Sequence, residues 1–231
     1  MHEMAGSARR VLVTGSTSGI GSAIARRLHS DGWTVVGLDI IADNAAPWLQ
    51  AQIITDLMRP HEIEQSVAPH SPFLALVHCA GFMRTAPLES LNTEDGLAMW
   101  SVHVQALAIL ARSLVPAMPA GGRVVAIGSR TSRGAAGRSQ YAAAKSAINA
   151  MIRSWAIELA PRGITANVIS PAATETPMLS DPGRAGVRPV LPPIGRYVNP
   201  AEIAAYTSFI LSSEAGAITG QELLICGGSS L

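Results

Sequence analysis

From Arg9 onward the chain alternates short β-branched runs with segments whose apolar residues recur every three or four positions. "RRVLVTG" is a β-branched run ending in Gly, the pattern of a buried strand. In "IGSAIARRLHSDG", Ile20, Ile24 and Leu28 fall at i, i+4 and i+8 before Gly32, which predicts a helix with its stop signal. "WTVVGLDI" and "AQIITDL" read as the second and third strands, joined by so short a connection that the crossover helix must be reduced. "FLALVHCAG" and "GGRVVAIGS" are the fourth and fifth, with a long helix from about Glu94 to Val115 between them. A helix carrying Tyr141 and Lys145, the strand "ITANVIS", a helix near Pro200 to Leu211 and the strand "ELLIC" complete the order. Such alternation predicts an α/β fold, a doubly wound parallel β-sheet with both faces covered. One domain is expected across residues 1–231. Only residues 177–199 lack periodicity, and their Pro and Gly content predicts a long substrate-binding loop, or lid.

Composition narrows the function classes. With 48% hydrophobic and 14% charged residues over 231 positions, a large core is expected and disorder is not. A net charge of +1 argues against a nucleic-acid partner bound through clustered Lys and Arg. No apolar run is expected to reach membrane-spanning length, and "MHEMAGSARR" has no apolar signal core, so no membrane partner is expected. Cys79 and Cys226 each follow an apolar run, as buried strand ends would, which suits a reduced, cytoplasmic setting. No metal site is expected.

The first strand runs into "TGSTSGIG", placing Gly15, Gly19 and Gly21 where a helix opens. Glycines there permit a tight turn and let a pyrophosphate approach helix-start N–H groups. Asp39 ends the second strand at the offset of an acid that binds an adenosine ribose. Its carboxylate would repel a 2′-phosphate, and Ile40 and Ile41 follow without an Arg or Lys, so NAD is expected rather than NADP. Asp56, at the end of the third strand, is a candidate for the adenine amino group, although a capping Asp would look the same.

Tyr141 and Lys145 stand at i and i+4 in "SQYAAAKSA", on one helical face. A phenol acting near pH 7 must come down from a pKa of about 10, at a cost of about 4 kcal/mol. An ammonium about 4 Å away supplies energy of that order at an effective dielectric near 20. The surrounding alanines leave room for a cofactor and substrate. Ser129 closes "VVAIGS" at a strand's C-terminal end, where open α/β sheets bind ligands. Its hydroxyl could hold a substrate oxygen while Tyr141 moves the proton.

Taken in order, "TGSTSGIG", "GLDI", "HCAG", "IGS", "YAAAK", "NVISPAATET" and "ITGQELLICGG" resemble the single-domain, Rossmann-like branch of the short-chain dehydrogenase/reductase family, from Val11 to Gly228. The resemblance implies an NAD-dependent oxidoreductase that interconverts an alcohol and a ketone or aldehyde. It implies Ser129, Tyr141 and Lys145 as catalytic residues. It further implies a cofactor site of Gly15, Ser18, Ile20, Gly21, Asp39, Asp56, Leu57, Ala80, Gly81, Tyr141, Lys145, Pro171 and Thr176. Members are commonly tetramers, so a homotetramer or homodimer built on the helices after the fourth and fifth strands is expected.

Four departures from the family pattern stand out. Its N-N-A-G is His78-Cys79-Ala80-Gly81, the Gly after Pro171 is Ala172, and the interval from Ser129 to Tyr141 is one residue short. His103 replaces the Asn that, in the family, anchors a water of the proton relay and loosens its helix. His103 either keeps the relay with its ring or its carbonyl or fills the space as a core histidine, and only a relay through its ring predicts an extra ionisation near pH ~6.5. Arg130, Arg133, Arg138, Arg184 and Arg188 suggest an anionic or polyhydroxylated substrate, or a solvated loop. A catalytically silent nucleotide-binding regulator stays open as the alternative, supported by His78, Cys79 and His103.

Overall fold

The computed structural model describes residues 9–43, 46–184 and 189–231. Seven strands run in parallel: β1 (Arg10–Thr14), β2 (Thr34–Asp39), β3 (Ala51–Ile54), β4 (Ala75–His78), β5 (Arg123–Ile127), β6 (Thr165–Pro171) and β7 (Glu222–Ile225). Their order across the sheet is β3-β2-β1-β4-β5-β6-β7. Winding reverses between β1 and β4, and the crevice beyond their C-terminal ends is where ligands sit in open α/β sheets.

Alternation of side chains along each strand divides the core in two. Leu12, Val36, Leu76, Val124 and Val168 point to one face, against α2 (Pro60–Val67), α4 (Ala106–Leu114) and α5 (Ser139–Leu159). Val11, Val13, Val35, Val77 and Ile169 point to the other, against α1 (Gly19–Ser30) and α6 (Pro200–Leu211). Each fully buried aliphatic side chain stabilises the fold by roughly 1.5–3 kcal/mol relative to exposure. Burial on both faces explains why the strands read as continuous apolar runs rather than alternating ones.

α2 went unread in the sequence. Pro60 at its first turn and the buried pair Ile63 and Val67 mark it, but eight residues give the helical period little room to register. The long helix is present with an internal change of pitch. α3 (Thr93–Trp100) passes into a π-helical segment at Ser101–Gln105 before α4. Asn92 caps the start by accepting from the Glu94 and Asp95 N–H groups. Continuous from Thr93 to Ala117, this helix is long and apolar enough to cross a membrane, which corrects the expectation that no segment reaches that length. Val102, Leu107, Leu110 and Leu114 are buried against the sheet, and that packing accounts for its apolar character. Cys79 and Cys226 are free thiols just beyond β4 and β7, half-buried rather than buried.

Residues 177–199 hold two short 3-10 turns, Pro177–Ser180 and Pro182–Arg184. A bridge from Thr174 to Val198 ties the base of the segment, and the Ile194 N–H donates to the Gly227 carbonyl at 3.0 Å. Arg188 lies outside the described residues.

Candidate active site

A cavity of about 1020 Å³ opens at the C-terminal edge of the sheet. Gly15, Ser18, Ile20 and Gly21 line it together with Ser129, Tyr141, Lys145 and His103. Ala80, Gly81, Pro171 and Thr176 complete its walls. The structure therefore brings together most of the residues expected from sequence. Asp39, Asp56 and Leu57 are not part of this lining. Leu57 is buried in the core beside Ile53 and Ile63, so its side chain serves packing. The Asp56 carboxylate caps its own turn, accepting from the Met58 N–H at 2.9 Å.

The glycine loop is shaped for an anion. Ser18, the N-cap of α1, makes no side-chain cap, so the first-turn N–H groups stay free for an incoming acceptor. Gly21 is dictated by close approach: a Cβ there would stand 2.0 Å from the Gly15 carbonyl oxygen. These features fit a dinucleotide's pyrophosphate. Asp39 ends β2 at 9% exposure, where four donors hold its carboxylate. The Thr17 N–H and hydroxyl donate at 3.0 and 2.8 Å, and the Ile40 and Ile41 N–H groups at 2.8 and 3.2 Å.

Ser129 lies two residues past β5, with its Oγ accepting from the Thr131 N–H at 3.1 Å. Burial pushes the Tyr141 phenol up to about 12, against the lowering effects of Ser129, Arg184 and Arg138. The phenol depression expected from Lys145 is thus not a property of the protein groups alone. Lys145 is buried, its Nζ donates to the Ile127 carbonyl at 2.8 Å, and it stands 5.7 Å from the Tyr141 ring centre. Burial brings its ammonium down to about 8.

Of the roles open to His103, the structure favours a core histidine over a titrating relay. Its ring is fully buried, and burial first, then the Lys145 charge, push its pKa well below the ordinary histidine value. No ionisation near pH 6.5 follows, and the ring stays neutral. Nε2 donates to the Phe82 carbonyl at 2.8 Å, because a carbonyl can only accept. That assignment leaves Nδ1 as a buried acceptor without a partner. The ring meets Tyr141 edge-on at 5.5 Å and packs on Gly81, where a Cβ would stand 2.1 Å from Cε1. The helix around it carries the π-helical segment, so the loosened backbone accompanies His103 here.

Gly81→Ala is therefore expected to cost about 1–3 kcal/mol, as overpacking does. His103→Ala removes the obstructing ring, so a double-mutant cycle by urea denaturation should give a favourable coupling above about 1 kcal/mol. Simple additivity of the two losses would show that the ring does not set the requirement for glycine.

His78 explains the altered N-N-A-G, and its role escaped the sequence reading. Nε2 donates to the Val102 carbonyl in the π-helical segment at 3.1 Å. Nδ1 must then accept, at 3.1 Å, from the Thr14 hydroxyl, whose oxygen accepts from the Cys79 and Ala80 N–H groups at 3.0 Å each. Every polar atom in this buried chain is satisfied. Burial pushes the His78 pKa down to about 3, keeping the tautomer neutral. The network ties β1, β4 and the long helix together beneath the cavity. A histidine at the end of a buried strand was its only trace in the sequence.

Comparison with known proteins agrees with this geometry. The family model described as enoyl-(acyl carrier protein) reductase matches residues 15–230. The chain is 34% identical to 3-oxoacyl-[acyl-carrier-protein] reductase FabG of Salmonella typhimurium, covering 94% of this chain and 95% of that protein. It is 30% identical to the (2S)-[(R)-hydroxy(phenyl)methyl]succinyl-CoA dehydrogenase subunit BbsD of Thauera aromatica, covering 96% and 97%. Among solved structures, a short-chain dehydrogenase from Burkholderia cenocepacia in complex with NADP superposes with a TM-score of 0.83 at 28% identity, covering 97% and 99%. This chain belongs to the short-chain dehydrogenase/reductase family and is an oxidoreductase built to use a nucleotide cofactor.

Proposed function

We propose that the protein is an NAD-dependent oxidoreductase that interconverts an alcohol and a ketone, with Tyr141 as the general acid or base. The observation that carries this reading is the meeting of Ser129, Tyr141 and Lys145 in one cavity beside the glycine cradle. When bound, the nicotinamide supplies or accepts the hydride. Gly15, Ser18, Ile20 and Gly21 would hold the pyrophosphate side, and Pro171 and Thr176 the nicotinamide side. Lys145, fixed by the Ile127 carbonyl, would hold a ribose hydroxyl. Ser129 holds the substrate oxygen and Tyr141 moves its proton. A phenol pushed up to about 12 is protonated at neutral pH, which suits proton donation and hence ketone reduction. Segment 177–199 serves as the substrate loop, since Met178, Leu179, Val190 and Leu191 face the cavity.

NAD is preferred because of Asp39. The Burkholderia relative is a complex with NADP, but here the strand end presents a carboxylate held rigidly by four donors. A 2′-phosphate about 4 Å away meets repulsion of about 4 kcal/mol per charge at an effective dielectric of 20. No Lys or Arg occurs in residues 14–21 or 39–43 to offset it. Steady-state kinetics should give NADH at least a hundredfold advantage in kcat/KM over NADPH, and Asp39→Ser should shrink that advantage below tenfold. A wild-type preference for NADPH would overturn the assignment.

A homodimer or homotetramer through the helices after β4 and β5 belongs to the same reading. Leu97, Trp100 and Ile157 on those helices are exposed, which supports it.

Turnover on a panel of ketones with NADH, with Tyr141→Phe as control, tests the catalytic proposal. Tight NADH binding with no turnover on any member would favour a silent regulator instead.

A further inference from the structure

Five arginines flank the substrate half of the chain, and the structure sorts them. Arg133 lies 3.9 Å from Glu222, an acid that also accepts from Ser132 and Ser170. Arg84 pairs with Asp181 at 3.3 Å. Arg130, Arg138 and Arg184 line the cavity itself, and among the described residues none has an acidic partner. The one acidic side chain among the described lining residues is Asp181, already taken by Arg84 and by the Gly183 N–H.

The three guanidiniums are placed as a group. Arg184 donates through one terminal nitrogen to the Met178 carbonyl at 3.1 Å, which anchors it to the substrate loop. Its Nε is buried without an acceptor, and so is the Nε of Arg138. Arg138 is the residue just before α5, so it stands three positions from Tyr141 on the same turn of chain. Burial, then the charges of Arg184 and Arg130, push the Arg138 guanidinium below its usual range. Arg184 and Arg138 both act on the Tyr141 phenol, so their field reaches the reacting position. Three like charges facing one half-enclosed space, with donors unused, are stable together when an anion enters. The glycine loop offers its own free N–H groups to the cofactor's phosphates, so these arginines are left for the substrate.

We propose that Arg130, Arg138 and Arg184 form a carboxylate-binding subsite beside Tyr141, making the substrate a keto acid or hydroxy acid. The arginine fork pairs with a carboxylate through two parallel hydrogen bonds. Met83, Met178 and Phe82 line the space beside it and accommodate a short apolar chain. This inference rests on the oxidoreductase reading and names the substrate class of that same site.

The test uses 3-oxo acids of four to eight carbons and their methyl esters, compared pairwise with NADH at pH 7. The free acids should exceed their esters at least tenfold in kcat/KM, mainly through KM. In the double variant Arg138→Gln/Arg184→Gln that acid-to-ester ratio should fall below threefold with the thermal midpoint preserved, because any change at Tyr141 acts on both members of a pair alike. Esters matching the acids in the wild type would overturn the carboxylate subsite while leaving the oxidoreductase reading intact. So would an acid preference that survives the double variant. If neither member of any pair is reduced, calorimetric titration of both into the NADH-loaded protein separates the two ideas. Selective binding of acids would keep the subsite and reject the oxidoreductase; no selectivity would reject the subsite.

Discussion

Tyr141→Phe is expected to lower kcat for ketone reduction by about 10²–10⁴-fold, the range that a positioned general acid contributes. The ring's surroundings stay in place, since its edge-on contact with His103 at 5.5 Å and its packing with Met83 and Met99 do not involve the hydroxyl. Folding and NADH affinity should therefore change little, and stopped-flow turnover with a fluorescence titration of NADH separates the two effects. The wild-type pH profile follows from the same groups. With the phenol at about 12, Tyr141 stays protonated throughout the neutral range. Lys145, at about 8, is an ammonium below that pH and loses its charge above it. Reduction should be level from pH 6 to nearly 8 and decline above, with no step near 6.5 because His103 stays neutral. A profile that rises with pH across that range would contradict this assignment of acid and cation.

Gly21→Ala is the second large effect, and here local and tertiary arguments give opposite signs. Gly21 lies in the first turn of α1, and Ala exceeds Gly in helix propensity by about 1 kcal/mol, so the helix alone predicts stabilisation. The added Cβ would stand 2.0 Å from the Gly15 carbonyl oxygen and 2.7 Å from its carbon. Both are backbone atoms, and no rotamer can relieve the overlap. The loop must shift, moving the N–H groups that receive the pyrophosphate. NADH affinity should fall at least a hundredfold and the midpoint of thermal unfolding should drop, both readable in one fluorescence-monitored melt with and without NADH. An unchanged NADH-dependent stabilisation would show that the glycine is not needed for the cradle.

Much of this was legible in the chain itself. The seven strands in chain order, every helix but α2, and the placing of Ser129, Tyr141 and Lys145 followed from apolar periodicity and motif spacing, because both are local. Short α2 escaped for the same reason, having too few residues to show a period. The pitch change at Ser101–Gln105 also escaped, since its apolar residues continue those of the flanking turns. Asp56 and Leu57 were expected at the cofactor, yet one caps its own turn and the other fills the core.

The sequence by itself determined the doubly wound sheet, the glycine loop and the polar groups of the active site, since these depend on composition and period within a few residues. Tertiary structure alone decided how the histidines and arginines are used. His78 and His103 are twenty-five positions apart, and only burial against Thr14, Val102, Phe82 and Gly81 makes both neutral and assigns each nitrogen its donor or acceptor role. Arg133 finds Glu222 on β7, while Arg130, Arg138 and Arg184 find no acid among the described residues. Charge along the chain is a list of residues. Which charges are compensated depends on distances that only the folded chain creates.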